Sequence, residues 1–318
     1  MRALITGGAG FIGSHLADYL NKRGWFIRIV DNFSTGRLEN IAHLIKRPNA
    51  EIIKADLKNL DLVNKAVRNV DVIFHLAANP EVRVSSINPE IHFKENIFVT
   101  FNILEAMRKN DVNEIVFASS SSVYGEPEKI PVDEQAPIRP VSIYGASKAS
   151  CENLIHAYTK TYGFRAVILR YANVIGPRLR HGAIYDFLLK LSHNPNKLEI
   201  LGDGSQIRSY IYIDDAIEAT ILSYLRSPHM FEVYNVASKD WITVLDVAKI
   251  VINLLGLSSV KLTFKSYAHG IGWPGDVKRI ALSIDKIRTL GFNPKYNSKG
   301  AVKLTARALI KELNIGFK

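Results

Sequence analysis

The chain has one cysteine in 318 residues, Cys151, a scarcity that excludes an internal disulfide and any cysteine-based metal cluster. No apolar run approaches the roughly 20 residues a bilayer requires. Met1 leads directly into Ala3-Leu4-Ile5-Thr6, a segment that a buried strand needs, so neither a membrane partner nor a signal peptide is expected, and the cytoplasm is the expected location. Low-complexity tracts are missing too; at 47% apolar and 22% charged residues the composition is globular, with enough chain to bury a substantial core. No metal is expected, because His75 has no second His, Cys or Asp at ligand spacing and reads as a satisfied core histidine. No Ser-His-Asp set is evident. Acidic residues are in deficit, 30 against 41 basic, for a formal charge of +11. That charge suits a polyanion, but it equally suits ligands that are diphosphates. The basic stripe Lys299, Lys303, Arg307 and Lys311 has no aromatic residues interleaved with it, so a solvated helix face is expected rather than a nucleic-acid surface.

What is present begins with Tyr144 and Lys148 in Ser-Ile-Tyr-Gly-Ala-Ser-Lys, with Ser120 upstream in Ala-Ser-Ser-Ser-Ser-Val-Tyr-Gly. A tyrosine and a lysine four apart on a helix share a face, so an ammonium can stabilise a phenolate. A phenol titrates near 10, and bringing it near 7 takes roughly 4 kcal/mol of preferential phenolate stabilisation. One charge about 5 Å away, at an effective dielectric near 20, supplies roughly 3 kcal/mol. Lys148 alone falls short, and a second positive charge such as an oxidised nicotinamide ring closes the gap. An isolated Tyr-x-x-x-Lys recurs by chance; the rest of the chain gives this one its meaning.

Met1 to Thr6 reads as a buried strand, followed by Gly7-Gly8-Ala9-Gly10-Phe11-Ile12-Gly13 and a helical pattern through Leu16 and Leu20 to Gly24. In such a strand, glycine turn and helix, Gly7 or Gly8 permits the turn, Gly10 lets backbone approach a pyrophosphate, and Gly13 allows close packing, with Phe11 and Ile12 in the cofactor-binding turn. The second strand, Phe26 to Val30, ends in Asp31, eighteen residues after Gly13, where a carboxylate can accept both adenine-ribose hydroxyls and repels a 2′-phosphate. NAD is therefore preferred over NADP, although Arg37 is a nearby cation. Further strands at Ala50 to Ala55, Val70 to Leu76 and Glu114 to Ser119 alternate with helices. The expected fold is α/β, a doubly wound parallel sheet of the NAD-binding Rossmann kind with a smaller, interleaved C-terminal substrate domain. The expected division is 1–170, rejoined by 212–240 because Phe231 to Val236 reads as a late strand, and 171–211 with 241–318.

With these residues in hand, the sequence resembles the extended short-chain dehydrogenase/reductase family, most closely its UDP-glucose (UDP-galactose) 4-epimerases. The resemblance runs nearly the whole length. It is carried by Thr6 to Gly13, Asp31-Asn32, Asp56-Leu57, His75 to Ala78, Asn96, Ser119 to Gly125, Tyr144 to Lys148, Arg170 to Asn173, Gly176-Pro177-Arg178 and Gly202 to Asp215. It implies Tyr144 as acid/base, Lys148 on the nicotinamide ribose and Ser120 on the sugar oxygen. It further implies Asp31 and Asn32 with Asp56 and Leu57 around the adenosine, Ala77 and Ala78 along the dinucleotide cleft, and Asn96 near the cofactor ribose. For the substrate it implies Asn173 and Arg208 at the diphosphate and Asp276 at the uridine ribose. The implied reaction is reversible inversion at C4 of a UDP-hexose through a 4-keto sugar. A homodimer through the helices at Asn96 to Arg108 and Tyr144 to Tyr162 and a place in galactose metabolism are implied as well.

Departures narrow this. Sugar-nucleotide dehydratases carry Asp-Glu before the Val-Tyr-Gly, and UDP-glucuronate decarboxylases keep a glutamate at the position of Ser122; Ser121-Ser122 disfavours both. Trp273 stands where relatives have an arginine on the diphosphate, so either Arg178, Lys278 or Arg279 compensates or Trp273 simply packs. Ile280 aligns with the position that gates N-acetylated hexoses, and its intermediate size favours UDP-glucose and UDP-galactose with some N-acetylhexosamine turnover. A UDP-glucuronate 4-epimerase needs a cation or hydroxyls at the sugar C6, for which Arg83 and Ser85 are candidates. A non-catalytic NAD-binding regulatory protein is disfavoured by the intact Ser120, Tyr144 and Lys148.

Overall fold

The computed structural model describes residues 1–316. Short runs of branched and aromatic residues form β1 (Arg2–Thr6), β2 (Phe26–Asp31), β3 (Ala50–Lys54), β4 (Val72–His75), β5 (Glu114–Ser120) and β6 (Arg165–Tyr171). After an excursion through β7 (Asn173–Ile175), β8 (Lys197–Leu201), β9 (Ile207–Arg208) and β10 (Tyr210–Tyr212), the chain returns as β11 (Phe231–Val236), then continues to β12 (Ile242–Thr243) and β13 (Lys261–Lys265). The first six strands and β11 make one parallel sheet, ordered β11-β6-β5-β4-β1-β2-β3, and β11 pairs with β6 from Phe231↔Ala166 to Val236↔Tyr171. Parallel neighbours require crossovers, supplied by α1 (Phe11–Lys22), α2 (Leu60–Val67), α3 (Glu90–His92) running through a π turn into α4 (Val99–Lys109), α5 (Ile143–Tyr162), α6 (Gly182–His193) and α7 (Ile213–Arg226).

Side chains alternate between two apolar cores. Leu4, Val30, Ile73, Ile115 and Ile168 face α2, α4 and α5 on one side, whereas Ala3, Ile5, Ile29, Phe74 and Val167 face α1 and α7 on the other. Helix starts follow their caps: Asn59 accepts from the Asp61 and Leu62 amides to open α2, and Ser142 accepts from Gly145 N at 3.1 Å to open α5. The helix expected from Asn96 to Arg108 instead begins with the π turn Phe93–Phe98. Strand order reverses between β1 and β4, and the crevice at that reversal is where ligands bind in such sheets.

A smaller lobe is built from the pairs β7 with β10, β9 with β12 and β8 with β13, covered by α6, α8 (Val244–Leu254) and α10 (Ser298–Glu312), whose contacts enclose Leu188, Leu198, Val247, Val251, Val302 and Leu309. One stretch expected there packs elsewhere. Ile280, Leu282, Ile284, Ile287 and Phe292, around α9 (Asp285–Arg288), join the core of the large sheet beside Tyr234 and Val236. Their apolar side chains find more surface to cover under β11 than beside the small strand pairs. Along α10 the Lys299, Lys303, Arg307 and Lys311 stripe is exposed, as expected of a solvated face.

Candidate active site

A cavity of about 530 Å³ opens at the sheet reversal and runs between the two lobes. At its deep end lies the glycine turn. Gly7 holds φ +66°, and a Cβ there would stand 2.9 Å from Ala77 backbone, so the β1 and β4 ends meet only because this residue has none. A Cβ on Gly13 would meet Gly7 O at 2.3 Å, which explains the close seating of α1. The N-cap of α1 is Gly10 and makes no side-chain capping bond, leaving the first-turn amides, beside Phe11 and Ile12, at the cavity wall. Asp31 accepts from Ala9 N at 2.9 Å and Phe33 N at 2.8 Å; burial nevertheless holds its pKa above the usual carboxylate value, against the pull of those amides. Asn32, Asp56, Leu57, Ala77 and Ala78 continue the wall. This end fits NAD: bare helix amides for a pyrophosphate, a carboxylate at the second strand end for a ribose, and apolar walls.

At the middle of the cavity stand Ser120, Tyr144 and Lys148. Ser120 closes β5 and accepts from Ser122 Oγ at 2.9 Å and Ser122 N at 3.2 Å, so the hydroxyl of Ser122 braces Ser120 where a carboxylate would introduce charge. Lys148 is buried and donates to the Ala118 carbonyl at 2.7 Å. Burial brings its pKa down to about 8, with Cys151 and Glu152 opposing. Burial also pushes the Tyr144 phenol up to about 12, against the hydrogen bond from Ser120. Lys148 by itself thus does not draw Tyr144 toward neutrality. Desolvation of the phenolate outweighs the protein's own stabilising groups, and the Lys148 amine is engaged with a carbonyl.

Of the residues expected to hold the cofactor and the nucleotide half of the substrate, Asn96 alone does not line the cavity. Asn96 is 1% exposed and works behind the wall, accepting from Asn79 N at 2.9 Å and donating to Ser147 Oγ at 2.8 Å. Asn173 lines the far half, where Arg208 donates through Nη2 to Asp276 at 2.7 Å and to the Val277 carbonyl, and through Nη1 to the Ile207 carbonyl at 2.8 Å. Asp276 in turn accepts from Gly272 N and Val277 N, both at 2.9 Å. Arg208 and Asp276, expected as separate ligand contacts, thus form one ion pair at the cavity edge. Of the cations considered beside Trp273, Arg178 lines the cavity and pairs with Asp18 at 2.8 Å, whereas Lys278 pairs with Asp203 and Arg279 lies outside. Trp273 itself lines the cavity with Arg83 5.9 Å above its ring. Ile280 is 7% exposed, sits in the large core and does not line the cavity, so the gating role expected of it is corrected. Ser85 is likewise off the wall, its Oγ bonded to the Val82 carbonyl. His75 is buried between Thr6 Oγ1 at 2.7 Å and Thr100 Oγ1 at 3.0 Å, and burial brings its pKa to about 3.

Sequence reasoning missed the cavity residues Glu81, Arg180, His181, Phe187 and Gln206, which sit on loops and a helix from distant parts of the chain. It also missed the buried ion pair behind β5, in which Arg170 donates to Glu152 at 2.7 Å with both side chains 5% exposed, while Ser119 donates to the same carboxylate. Its signal was a charged residue inside an otherwise apolar strand, Arg170 in Arg165 to Tyr171.

A nucleotide-anchoring parallel sheet with a Ser, Tyr and Lys set at its strand ends defines a short-chain dehydrogenase/reductase of the extended kind. The chain belongs to the NAD dependent epimerase/dehydratase family, matched over residues 3–237. It is 38% identical over 306 residues to a putative UDP-glucose 4-epimerase of Methanocaldococcus jannaschii, covering 94% of this chain and 95% of that one. A crystal structure of UDP-galactose 4-epimerase superposes with a TM-score of 0.88 at 44% identity, over 98% of this chain and 100% of that one. The Bacillus cereus UDP-glucuronic acid 4-epimerase, in complex with UDP-glucuronic acid and NAD, superposes with a TM-score of 0.89 at 33% identity over 98% and 100%. NAD is the family's cofactor, and UDP-sugar 4-epimerases are the chain's kin.

Proposed function

We propose that the chain interconverts UDP-galactose and UDP-glucose by inversion at C4 through a 4-keto sugar. The observation that carries the reading is Ser120, Tyr144 and Lys148 lining one cavity, with Ser121-Ser122 rather than an Asp-Glu pair following Ser120 in the chain. Elimination of water across C5 and C6 needs an acid and a base at that point, and hydroxyls supply neither. In this reading the glycine turn, Asp31, Asn32, Asp56, Leu57, Ala77, Ala78 and Lys148 hold NAD, which when bound supplies the hydride acceptor and donor for the sugar carbon. Tyr144 takes the C4 hydroxyl proton and returns it to the C4 oxygen once the keto sugar has turned its other face to the cofactor. Ser120, which accepts from Ser122, holds the same oxygen. Arg208, Asp276 and Asn173 hold the nucleotide half while the hexose turns.

Also part of the proposal are a dinucleotide lobe of 1–170 with 212–240, a UDP-sugar lobe of 171–211 and 241–318 apart from the repacked 280–292 stretch, and a homodimer through α4 and α5. Separate incubations with UDP-galactose, UDP-N-acetylgalactosamine and UDP-glucuronate, followed by NMR of the sugar ring, test the reading. Fastest inversion of the UDP-galactose pair is expected; equal or faster turnover of either other sugar overturns the substrate assignment.

A further inference from the structure

We propose that His92 is a positioning residue for Tyr144: its neutral imidazole, packed edge to face on the phenol, fixes the orientation of that ring, and its protonation disables turnover in acid. The inference rests on the reading of Tyr144 as the acid/base.

His92 is fully buried and does not line the cavity, so it meets no ligand. It touches the site through Tyr144 in two ways. The two rings lie 5.6 Å apart at 69°, an attractive T-shaped contact that opposes rotation of the phenol. His92 Nδ1 also lies 3.4 Å from the Asn96 amide nitrogen; that amide donates to Ser147 Oγ at 2.8 Å, and Ser147 Oγ donates to the Tyr144 carbonyl at 2.7 Å. An amide NH2 only donates, so Nδ1 is the acceptor and the imidazole proton sits on Nε2. The brace is carried by α3 and the π turn that follows it, a rare winding that recurs at functional sites, and both pack on α5.

The groups facing the imidazole are Tyr144 and Lys148 from α5 and Glu81 with its partner Arg83 from the turn before α3. Burial, with the Lys148 ammonium adding to it, holds the His92 pKa below 6.5 against the pull of the Glu81 backbone and carboxylate. At neutral pH the ring is therefore an uncharged aryl and acceptor. Once protonated in acid it carries a second N–H, which the Asn96 amide NH2 cannot accept, and the brace opens.

The test measures kcat and KM for UDP-galactose between about pH 5 and pH 9 in wild type, H92F, H92A and Y144F, together with bound NAD and melting temperature. H92F keeps the ring contact and is expected to hold kcat at neutral pH within about three-fold while losing the acid limb that wild type shows. H92A is expected to lower kcat about ten-fold or more with KM and bound NAD little changed. If H92A does not fold, H92N, which has a polar group and no ring, takes its place with the same expectation. Unchanged kcat in the ring-less variant, or an intact acid limb in H92F, overturns the proposal. Activity in Y144F removes the reading on which it rests; an inactive Y144F beside a fully active H92A leaves that reading and removes only the role of His92.

Discussion

Tyr144 and Lys148 sit where their charged forms are disfavoured, the phenol at about 12 and the amine at about 8. The protein alone keeps Tyr144 protonated at neutral pH, so its basicity belongs to the loaded enzyme. Tyr144→Phe is expected to lower turnover by a factor of about 10² to 10⁴ while NAD stays bound, read by kcat and by cofactor absorbance after gel filtration. Lys148 gives an opposite pair of effects. Its folded-state pKa lies below the ordinary 10.5, so a penalty of roughly 3 kcal/mol is fully present below about pH 8 and fades as pH rises to 10.5. Lys148→Met is therefore expected to abolish turnover yet melt higher than wild type at pH 7, with the advantage gone near pH 10.5; a lower melting temperature at pH 7 would falsify the account. That Tyr144 and Lys148 share a face was legible from their spacing, because i and i+4 lie together wherever the helix lies, and the glycine turn with Asp31 gave the pair its meaning. Their protonation was not, since desolvation depends on what covers them, and no sequence window reports that.

At the scale of elements, the strand, turn and helix from β1 to α1 was legible down to single residues, since backbone approach at Gly7 and Gly13 depends on local geometry. Gly13→Ala has no room for its Cβ, 2.3 Å from Gly7 O and 2.8 Å from Gly8 Cα. The variant is expected to lose NAD affinity by about ten-fold or more, measured by calorimetric titration, because α1 must shift its amides off the anion. The ion pair of Glu152 on α5 and Arg170 on β6 was not legible, because its members meet only when helix and strand pack. Glu152→Gln leaves a buried guanidinium without its counter-charge and is expected to cost about 3 to 5 kcal/mol, read from the urea midpoint, whereas replacing both residues by apolar ones is expected to cost less. The π turn was hidden for a related reason: residues 93–98 have an ordinary helical pattern, and packing of His92 and Asn96 against α5 accompanies the wider winding.

At the scale of the whole molecule, the cavity exists because β7 to β10 leave the large sheet after β6 and the chain returns at β11, which sets the second lobe over the strand ends. The outer face near α4 leaves Phe93 58%, Phe98 40% and Phe101 40% exposed, an apolar patch suited to the proposed dimer. Phe98→Glu with Phe101→Glu is expected to give monomers by analytical ultracentrifugation; a wild type that sediments as a monomer at micromolar concentration overturns the dimer. The sequence by itself determined the sheet class, the glycine turn with Asp31, and the Ser120, Tyr144 and Lys148 set, because each follows from local periodicity or short spacing. Only the tertiary structure decided that Arg208 pairs with Asp276, that Asn96 lies behind the wall, that Ile280 belongs to the core, and that Trp273 faces the cavity. Those outcomes depend on which distant surfaces bury one another, and burial couples residues that the chain separates by tens to hundreds of positions.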